Sequence, residues 1–452
     1  MTSHTIRKGF DIKLAGRPEP VIRDAAEPVL VGVEPREFLG MKPKLLVAEG
    51  DQVETGTPLL VDKTRPGLHH RSPVTGKVTG ITLGKRRFPE RIEIVPAEED
   101  RFVDLAGIDP DSIGSTSREA VVDALVDSGL WALLRQRPIG KIADRAAAPA
   151  AIYVNGMDTE PLAADPAVAI GGRGDAFQVG LDVLRRLTDG PIRLTVRAGV
   201  ARPPEFERAR DVELHEFRGP HPSGLVGTHI ATLGPLRADE VAWYLKAQEV
   251  ALIGEWVLSG RYPTHKVVAV SGSAAPDRGY FRVRQGSALM TLTGGKPLDD
   301  DVRVINGTVL SGVAADPHGA LGFYAQTLTV IPEGKGRREL FGWATPQLGR
   351  HSASRSVFGW LLPKREYELD ARLNGGPRNI VNIGAWEAMT PLDLHPTYLV
   401  RAIQAGDLEE AIQLGLLELT EEDVALCSFA DPCKIEVGQI VRQGLDLYEK
   451  EG

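Results

Sequence analysis

A chain of 452 residues, 42% hydrophobic and 25% charged, is long for one core and has the make-up of a multidomain globular protein at about one domain per ~150 residues. Its formal charge of -8 argues against the Lys- and Arg-rich surface that binds nucleic-acid phosphates, so no nucleic-acid partner is expected. Two cysteines, Cys427 and Cys433, cannot supply four-thiolate iron–sulfur ligation and fit a reducing compartment. The opening residues MTSHTIRKGFDIKLAG lack the apolar stretch of a secretory signal, and no window approaches the ~20 apolar residues of a membrane span. A cytosolic chain is expected, with any membrane association peripheral.

The first hundred residues carry short β-type runs (VLVGV, KLLV, PLLV, KVTGI, RIEIV) separated by turns at Gly50, Gly67 and Gly76. They predict an all-β module with Val53 and Leu59 pointing inward. The pattern EGD-x-V-x-x-G-x-P-L with SP-x-x-G-x-V resembles the barrel-sandwich hybrid of biotinyl and lipoyl domains, in which a lysine at a hairpin tip is modified. Here Lys63 takes that place, but TRPGLHHR lengthens the hairpin, so a scaffold with an exposed lysine is expected over a carrier. His69 and His70 are read as a solvated tip.

A capping box at Thr116 and Glu119 opens a helix with Val121, Val122, Leu125 and Val126 on one face, ended by Gly129. Ala151 to Val154 reads as a buried strand, Phe177 to Leu187 as a helix, and Ile192 to Val196 as another strand. That alternation predicts an α/β domain with a partly parallel sheet running to about residue 260. Residues 266–294 pass from strand to strand to short helix, as in a β-grasp unit. The tail predicts short helices: one from Pro396 to Gly406, one capped by Asp407 and ending at Gly415, and one opened by Thr420 and Asp423.

Motif chemistry is sparse, with no P-loop, HExxH, GxSxG or CxxC. The glycine cluster GGRGDAFQVG at 171–180 lacks a third glycine and reads as a loop. His221 and His229 in GPHPSGLVGTHI are too far apart for an i, i+4 metal pair, so no metal site is expected. Glu240, Glu249 and Glu255 fall near helical spacing and are expected to face water, without an acid–base role.

Taken in order, the stretches IRKGFDIKLAG, FLGMKPKLLVAEGD, NGMDTEPLAADP, GPHPSGLVGTHI, RVINGTVLSG, ELFGWATP, PLDLHPTYLVR, LELTEEDVALCSF and YEKEG resemble the NqrA subunit family of the bacterial sodium-translocating NADH:quinone oxidoreductase. The resemblance covers nearly the whole chain. It implies an α/β multidomain fold: a barrel-sandwich hybrid at 1–100, a Rossmann-like α/β domain with a lead-in helix at 101–262, a β-grasp, SLBB-like unit at 263–333, a connecting segment at 334–380 and a helical region at 381–452.

The family is similar in architecture to the NADH-binding flavoprotein of complex I, whose GxGGAGFP-type loop holds flavin mononucleotide. The corresponding stretch here, GLWALLRQRP at 129–138, puts Trp131, Leu133, Leu134 and Arg135 where glycines let backbone approach a phosphate. The resemblance therefore implies a subunit without a redox cofactor or autonomous activity, peripheral on the cytoplasmic side of the bacterial inner membrane. Its partners would be the membrane and flavin-bearing subunits, which carry FMN, FAD, riboflavin and Fe–S centres, in a translocase that uses ubiquinone as substrate. A quinone headgroup needs an apolar slot with one or two donors, and His221, Pro222, Gly227, His229, Glu255 and Trp256 are the candidate residues. CSFADPC departs from the family's expected spacing at Cys433. The competing reading is a freestanding flavin dehydrogenase, or a carrier protein modified at Lys63.

Overall fold

The structure, a computed structural model, describes residues 2–294, 298, 300–335, 351–353, 358–373, 376, 378–381 and 383–451. The stretch ELFGWATP at 339–346 lies outside them.

Two sheets form the N-terminal sandwich. One orders Val31–Val33, Pro89–Pro96, Gly76–Leu83 and Gln52–Val53; the other orders Pro43–Leu45, Pro58–Asp62 and His69–Arg71. Period-2 alternation sends Val31, Val53, Leu59, Val78, Ile92 and Ile94 into the shared core. Lys63 is exposed on the six-residue connection 63–68 between Pro58–Asp62 and His69–Arg71. Buried Asp62 ties that connection down, its Oδ1 accepting from Thr64 N at 2.9 Å and from Thr64 Oγ1 at 2.8 Å. The histidines that follow are not a solvated tip. Both lie in a strand whose alternation turns His70 inward against Phe38, ring centroids 4.7 Å apart, and burial pushes its imidazole down to about 3.

The expected helix is Arg118–Asp127, but its cap is Ser117, which accepts from Ala120 N at 3.2 Å. The Thr116 hydroxyl instead donates to Ser112 O at 2.9 Å, closing the preceding turn. A seven-stranded sheet follows, in the order Thr2–Thr5, Glu213–Arg218, Ile192–Arg197, Ala151–Asn155, Ala242–Lys246, Arg135–Arg137, Lys141–Ile142. The first five run parallel, and the chain reverses its direction of travel across the sheet between Ala151–Asn155 and Ala242–Lys246. Ligands of open α/β sheets bind beyond the carboxyl ends of strands at such a point.

Helices Gly174–Arg185 and Ala247–Ser259 pack together against this sheet, while Val226–Leu233 contributes Val226 and Ile230 to a separate cluster with Tyr153, Ala242 and Tyr244. The glycine cluster at 171–180 is only partly a loop. Gly174 opens a helix and Gly180 lies inside it, where a Cβ would stand 2.1 Å from Val250 O of the neighbouring helix. Glu249 does not face water either. It is buried and its Oε2 accepts from Lys246 N at 2.6 Å, closing the first turn of its helix.

The β-grasp unit builds a six-stranded sheet with Val313–Ala315, Val302–Asn306, Thr327–Pro332, His265–Ser271 and Gly279–Arg284. Its sixth strand, Ile22–Asp24, comes from the N-terminus. The tail forms Pro396–Ala405, Leu408–Gln413, Ala425–Ala430 and Val437–Glu451 around Leu399, Val400, Leu416, Leu419, Val441 and Leu445. The capping box at Thr420 and Asp423 opens a 3-10 turn, Glu421–Val424, that leads into Ala425–Ala430.

Residues 2–24 thus form a strap that visits each of these parts. Thr2–Thr5 pairs with residues 215–218, Gly9 N donates to Ala388 O at 3.0 Å, Tyr367 N donates to Lys13 O at 2.8 Å, and Ile22–Asp24 pairs with residues 280–282. Gly9 has φ +123°, and a Cβ there would lie 2.0 Å from His221 O.

Candidate functional site

At the reversal point the sheet ends in groups unusual for a protein interior. Strand Ala151–Asn155 leads into Asp158 and Glu160, strand Ala242–Lys246 ends on its lysine, and Arg135 and Arg137 stand on the adjacent antiparallel strand. The C-terminal helices close over them. Arg137 Nη1 lies 2.7 Å from Asp423 Oδ2 and Nη2 lies 3.0 Å from Glu422 Oε1, with the Arg137 and Asp423 side chains 3% and 1% exposed. Arg135 lies over the Tyr244 ring at 4.6 Å. Lys246 Nζ stands 3.5 Å from Asp158 Oδ2.

Each charge is set by its neighbours. Burial, and the negative Asp158 beside it, push the Glu160 carboxyl up to about 8, while Ser311 Oγ donates to its Oε2 at 2.8 Å. Burial works against the Lys246 ammonium, but Asp158, Glu160 and Glu249 outweigh it and hold it above its ordinary value. Burial likewise raises Glu422, yet Arg137, Arg135 and Lys246 prevail and hold that carboxyl below its usual range.

Because Glu160 keeps its proton in the folded chain and loses it in the unfolded one, folding stability falls as pH rises from about 4.5 to about 8. Glu160→Gln removes this titration. The variant is expected to be more stable than the parent at pH 8, by up to a few kcal/mol, and to show no such gain near pH 4. Denaturant midpoints across that range measure it; parallel profiles would contradict it.

Helix Val226–Leu233 starts against the same cluster. A Cβ on Gly227 would lie 2.2 Å from Asp423 Oδ1 and 2.7 Å from Oδ2, so a carboxylate of this chain occupies the helix N-terminus where α/β folds commonly receive a ligand anion. Nearby, Leu130, Trp131, Ala132 and Leu133 form a buried 3-10 turn, and Trp131 Nε1 donates to Ala143 O at 2.8 Å. These residues do not fit a flavin phosphate: bulky side chains fill the loop and Asp423 takes the anion position.

The six residues singled out from sequence fall in separate places. His221, Pro222, Gly227 and His229 cluster on the loop and helix just described. Thr159 Oγ1 accepts from Gly224 N at 2.9 Å and donates to His221 Nδ1 at 3.1 Å, leaving Nε2 protonated, buried and without a protein partner. Burial lowers the His221 imidazole to about 4. His229 donates from Nε2 to Ser223 O at 3.0 Å and accepts from Thr195 Oγ1 at 3.1 Å, so both nitrogens are used inside the fold.

Trp256 is fully buried in the core. Glu255, on the same helix, pairs with Arg173 Nε at 2.7 Å and lines a cavity of about 680 Å³. Phe102, Leu258, Tyr262 and Val267 give that cavity apolar walls, and Arg173 and Arg261 stand at it as donors.

Sequence reasoning missed Arg135, Arg137, Tyr244, Lys246, Asp158 and Glu160. Two arginines at alternate positions after GLWALL were the available signal, since alternation points both to one face of a strand. Cys427 is buried, bonded to Thr390 Oγ1 at 3.3 Å, and burial pushes its thiol up to about 12; Cys433 is buried as well. Among the described residues, no group of three His, Cys, Asp or Glu side chains is placed to hold a metal ion.

Comparison with known proteins matches residues 4–97 to the NqrA N-terminal barrel-sandwich hybrid domain, 116–262 to the NqrA second alpha/beta domain and 267–316 to the NQRA C-terminal domain. A protein of Neisseria gonorrhoeae named as the NqrA subunit of Na(+)-translocating NADH-quinone reductase is 41% identical over 448 residues, 99% of each chain. Proteins of the same name from Vibrio atlanticus and Yersinia pestis are each 39% identical, over 99% of this chain and 100% and 99% of their own.

Proposed function

Because this chain belongs to the NqrA subunit family of the Na(+)-translocating NADH-quinone reductases, we propose that it is the peripheral subunit, on the cytoplasmic side of the inner membrane, of a complex that couples NADH oxidation and ubiquinone reduction to sodium export. Among the described residues no helix is long and apolar enough to cross a membrane, which accords with a peripheral place. The observation that carries the division of labour is the filled crevice, in which Asp423 and Glu422 meet Arg137 where a nucleotide phosphate would have to enter. FMN, FAD, riboflavin and Fe–S centres accordingly belong to partner subunits, and this chain contributes assembly and quinone handling.

Within that role, the cavity beside Glu255 supports a quinone contact better than the His221 loop does. Its volume of about 680 Å³ falls within the range of small-molecule sites, and a quinone carbonyl needs only one or two donors in an apolar slot. His229 has no free nitrogen to offer.

The tagged chain, drawn from its native membranes in mild detergent, is expected to bring membrane subunits with it and to show sodium-stimulated NADH:quinone activity. A chain that comes down alone, yellow or carrying a mass adduct on Lys63, would overturn the assignment in favour of a freestanding flavoprotein or carrier. In the assembled complex, Arg173→Leu is expected to raise the KM for quinone several-fold while leaving flavin reduction by NADH unchanged. An unchanged KM would remove the cavity from quinone handling.

A further inference from the structure

The connecting segment carries a ledge that the proposed function does not explain. The 3-10 turn Phe358–Leu361 and the residue after it leave four large apolar side chains in solvent: Phe358 is 44% exposed, Trp360 55%, Leu361 52% and Leu362 37%. An exposed run of this kind has a use or it is a liability.

The ledge is held firmly. Leu362 N donates to Gly359 O at 3.0 Å, buried Tyr367 donates from its hydroxyl to Gly359 O at 3.1 Å, and Lys13 Nζ donates to Pro363 O at 2.7 Å. Tyr367 is itself stapled to the strap, with Ala15 N donating to Tyr367 O at 2.9 Å. The side chains are therefore presented by a fixed backbone.

Charge around the ledge runs against that of the chain, whose formal net value is -8. Lys364 and Arg365 follow directly and are exposed, Lys13 lies beneath Pro363, and Arg17, 77% exposed, stands 3.8 Å from Glu366. Tryptophan and leucine beside lysine and arginine are the side chains that settle at the headgroup level of a bilayer, the rings and aliphatic groups below the phosphates and the cations among them. Four side chains also make too small a patch for a specific protein interface, which buries about 1,200–2,000 Å².

We propose that the segment Phe358–Arg365 is a membrane-surface anchor that inserts Phe358, Trp360, Leu361 and Leu362 into the headgroup region of anionic phospholipid. The inference rests on the peripheral-subunit reading and says where the chain meets lipid.

The test is sedimentation of the purified full-length chain with vesicles of phosphatidylglycerol and phosphatidylethanolamine, with phosphatidylcholine vesicles as the neutral control. Binding is expected to prefer the anionic vesicles, to weaken with added salt, and to fall at least about tenfold when Trp360 and Leu361 are both changed to serine. Lys364→Gln with Arg365→Gln is expected to remove the anionic preference alone. Leu373→Ser, a change at another exposed apolar side chain (70% exposed), is expected to bind as the parent does and controls for generic loss of surface hydrophobicity. Equal binding by parent and Trp360/Leu361 variant, or no parental binding at low salt, overturns the proposal. Retention on vesicles with loss of the membrane subunits in the pull-down also overturns it, since the ledge is then a protein contact. Failure of the parent to bring down any subunit would instead count against the assignment to the complex and leaves the vesicle result to decide the anchor.

Discussion

Arg137→Ala is expected to destabilise the protein by about 3–5 kcal/mol, the range for removing one partner of a buried ion pair. The guanidinium is 3% exposed and meets Asp423, 1% exposed, and Glu422 at 2.7 and 3.0 Å; alanine leaves both carboxylates facing each other in the interior. The loss should be felt first where the C-terminal helices meet the sheet, so proteolysis of the native variant should open the region after residue 395 before the α/β domain. A double change that removes charge from both sides, Arg137→Met with Asp423→Leu, should recover much of the stability, because well-packed apolar side chains often replace a buried pair without loss. The pH dependence has a definite sign. Arg137, Arg135 and Lys246 hold Glu422 below its ordinary range against the effect of burial, so its contribution is full above the unfolded carboxylate value and disappears as pH falls through the depressed one. Urea unfolding should show a shallower acid-side loss in Arg137→Ala than in the parent. A single-variant cost below about 1 kcal/mol would place the pair among ordinary surface ion pairs and sink the argument.

Gly254→Ala is expected to be nearly as damaging for a different reason. Helices Gly174–Arg185 and Ala247–Ser259 touch backbone to backbone: a Cβ at 254 would stand 1.7 Å from Ala176 O and 2.6 Å from its carbonyl carbon. Neither atom can swing aside as a side-chain end can, so the helices must separate and give up contacts among Phe177, Leu181, Val250 and Ile253. Overpacking a core costs about 1–3 kcal/mol, and this position falls at or above the upper end. Gly180→Ala presses the reciprocal contact with Val250 O. The double variant should therefore cost less than the sum of the two singles, since helices already separated accept the second methyl. Thermal unfolding of the three variants measures this. Full additivity would mean that each methyl is absorbed locally and the helices do not move.

Periodicity made much of the α/β domain legible. Ala151–Asn155 and Ile192–Arg197 are runs of apolar or β-branched residues at the length of a buried strand, and the helix between them repeats Val183, Leu184 and Leu187 at helical spacing. Local chemistry marked boundaries too: Pro396 begins its helix, Gly406 ends it at φ +76°, and Thr420 with Asp423 forms the capping box. The architecture as a whole came through resemblance, and the three matched domains agree with it.

What stayed hidden depends on residues far apart in the chain. Nothing local to RQR says that Arg137 will meet a carboxylate 286 positions later, and Asp423 could be read only as a cap because that role needs just three residues of context. Glu249 and His70 were misjudged for the same reason. Exposure is decided by what the rest of the fold lays over a side chain, and a charged or polar residue read singly is assigned to water. The six candidate site residues were drawn from two stretches, and the fold parts them: the His221 loop closes on the strap and the C-terminal helices, whereas Glu255 turns to a cavity with Arg173.

The strap also bears on how the chain is made. Translation delivers residues 2–24 first, yet their partners lie at 215–218, 280–282, 367 and 388, so the leading segment leaves the ribosome with nothing to hold it until most of the polypeptide has followed. Contacts of such sequence separation form late and slowly. The segment synthesised first is seated last, and a polypeptide released before about residue 388 carries an unfastened leading end by which the cell's proteases can tell an unfinished copy from a complete one.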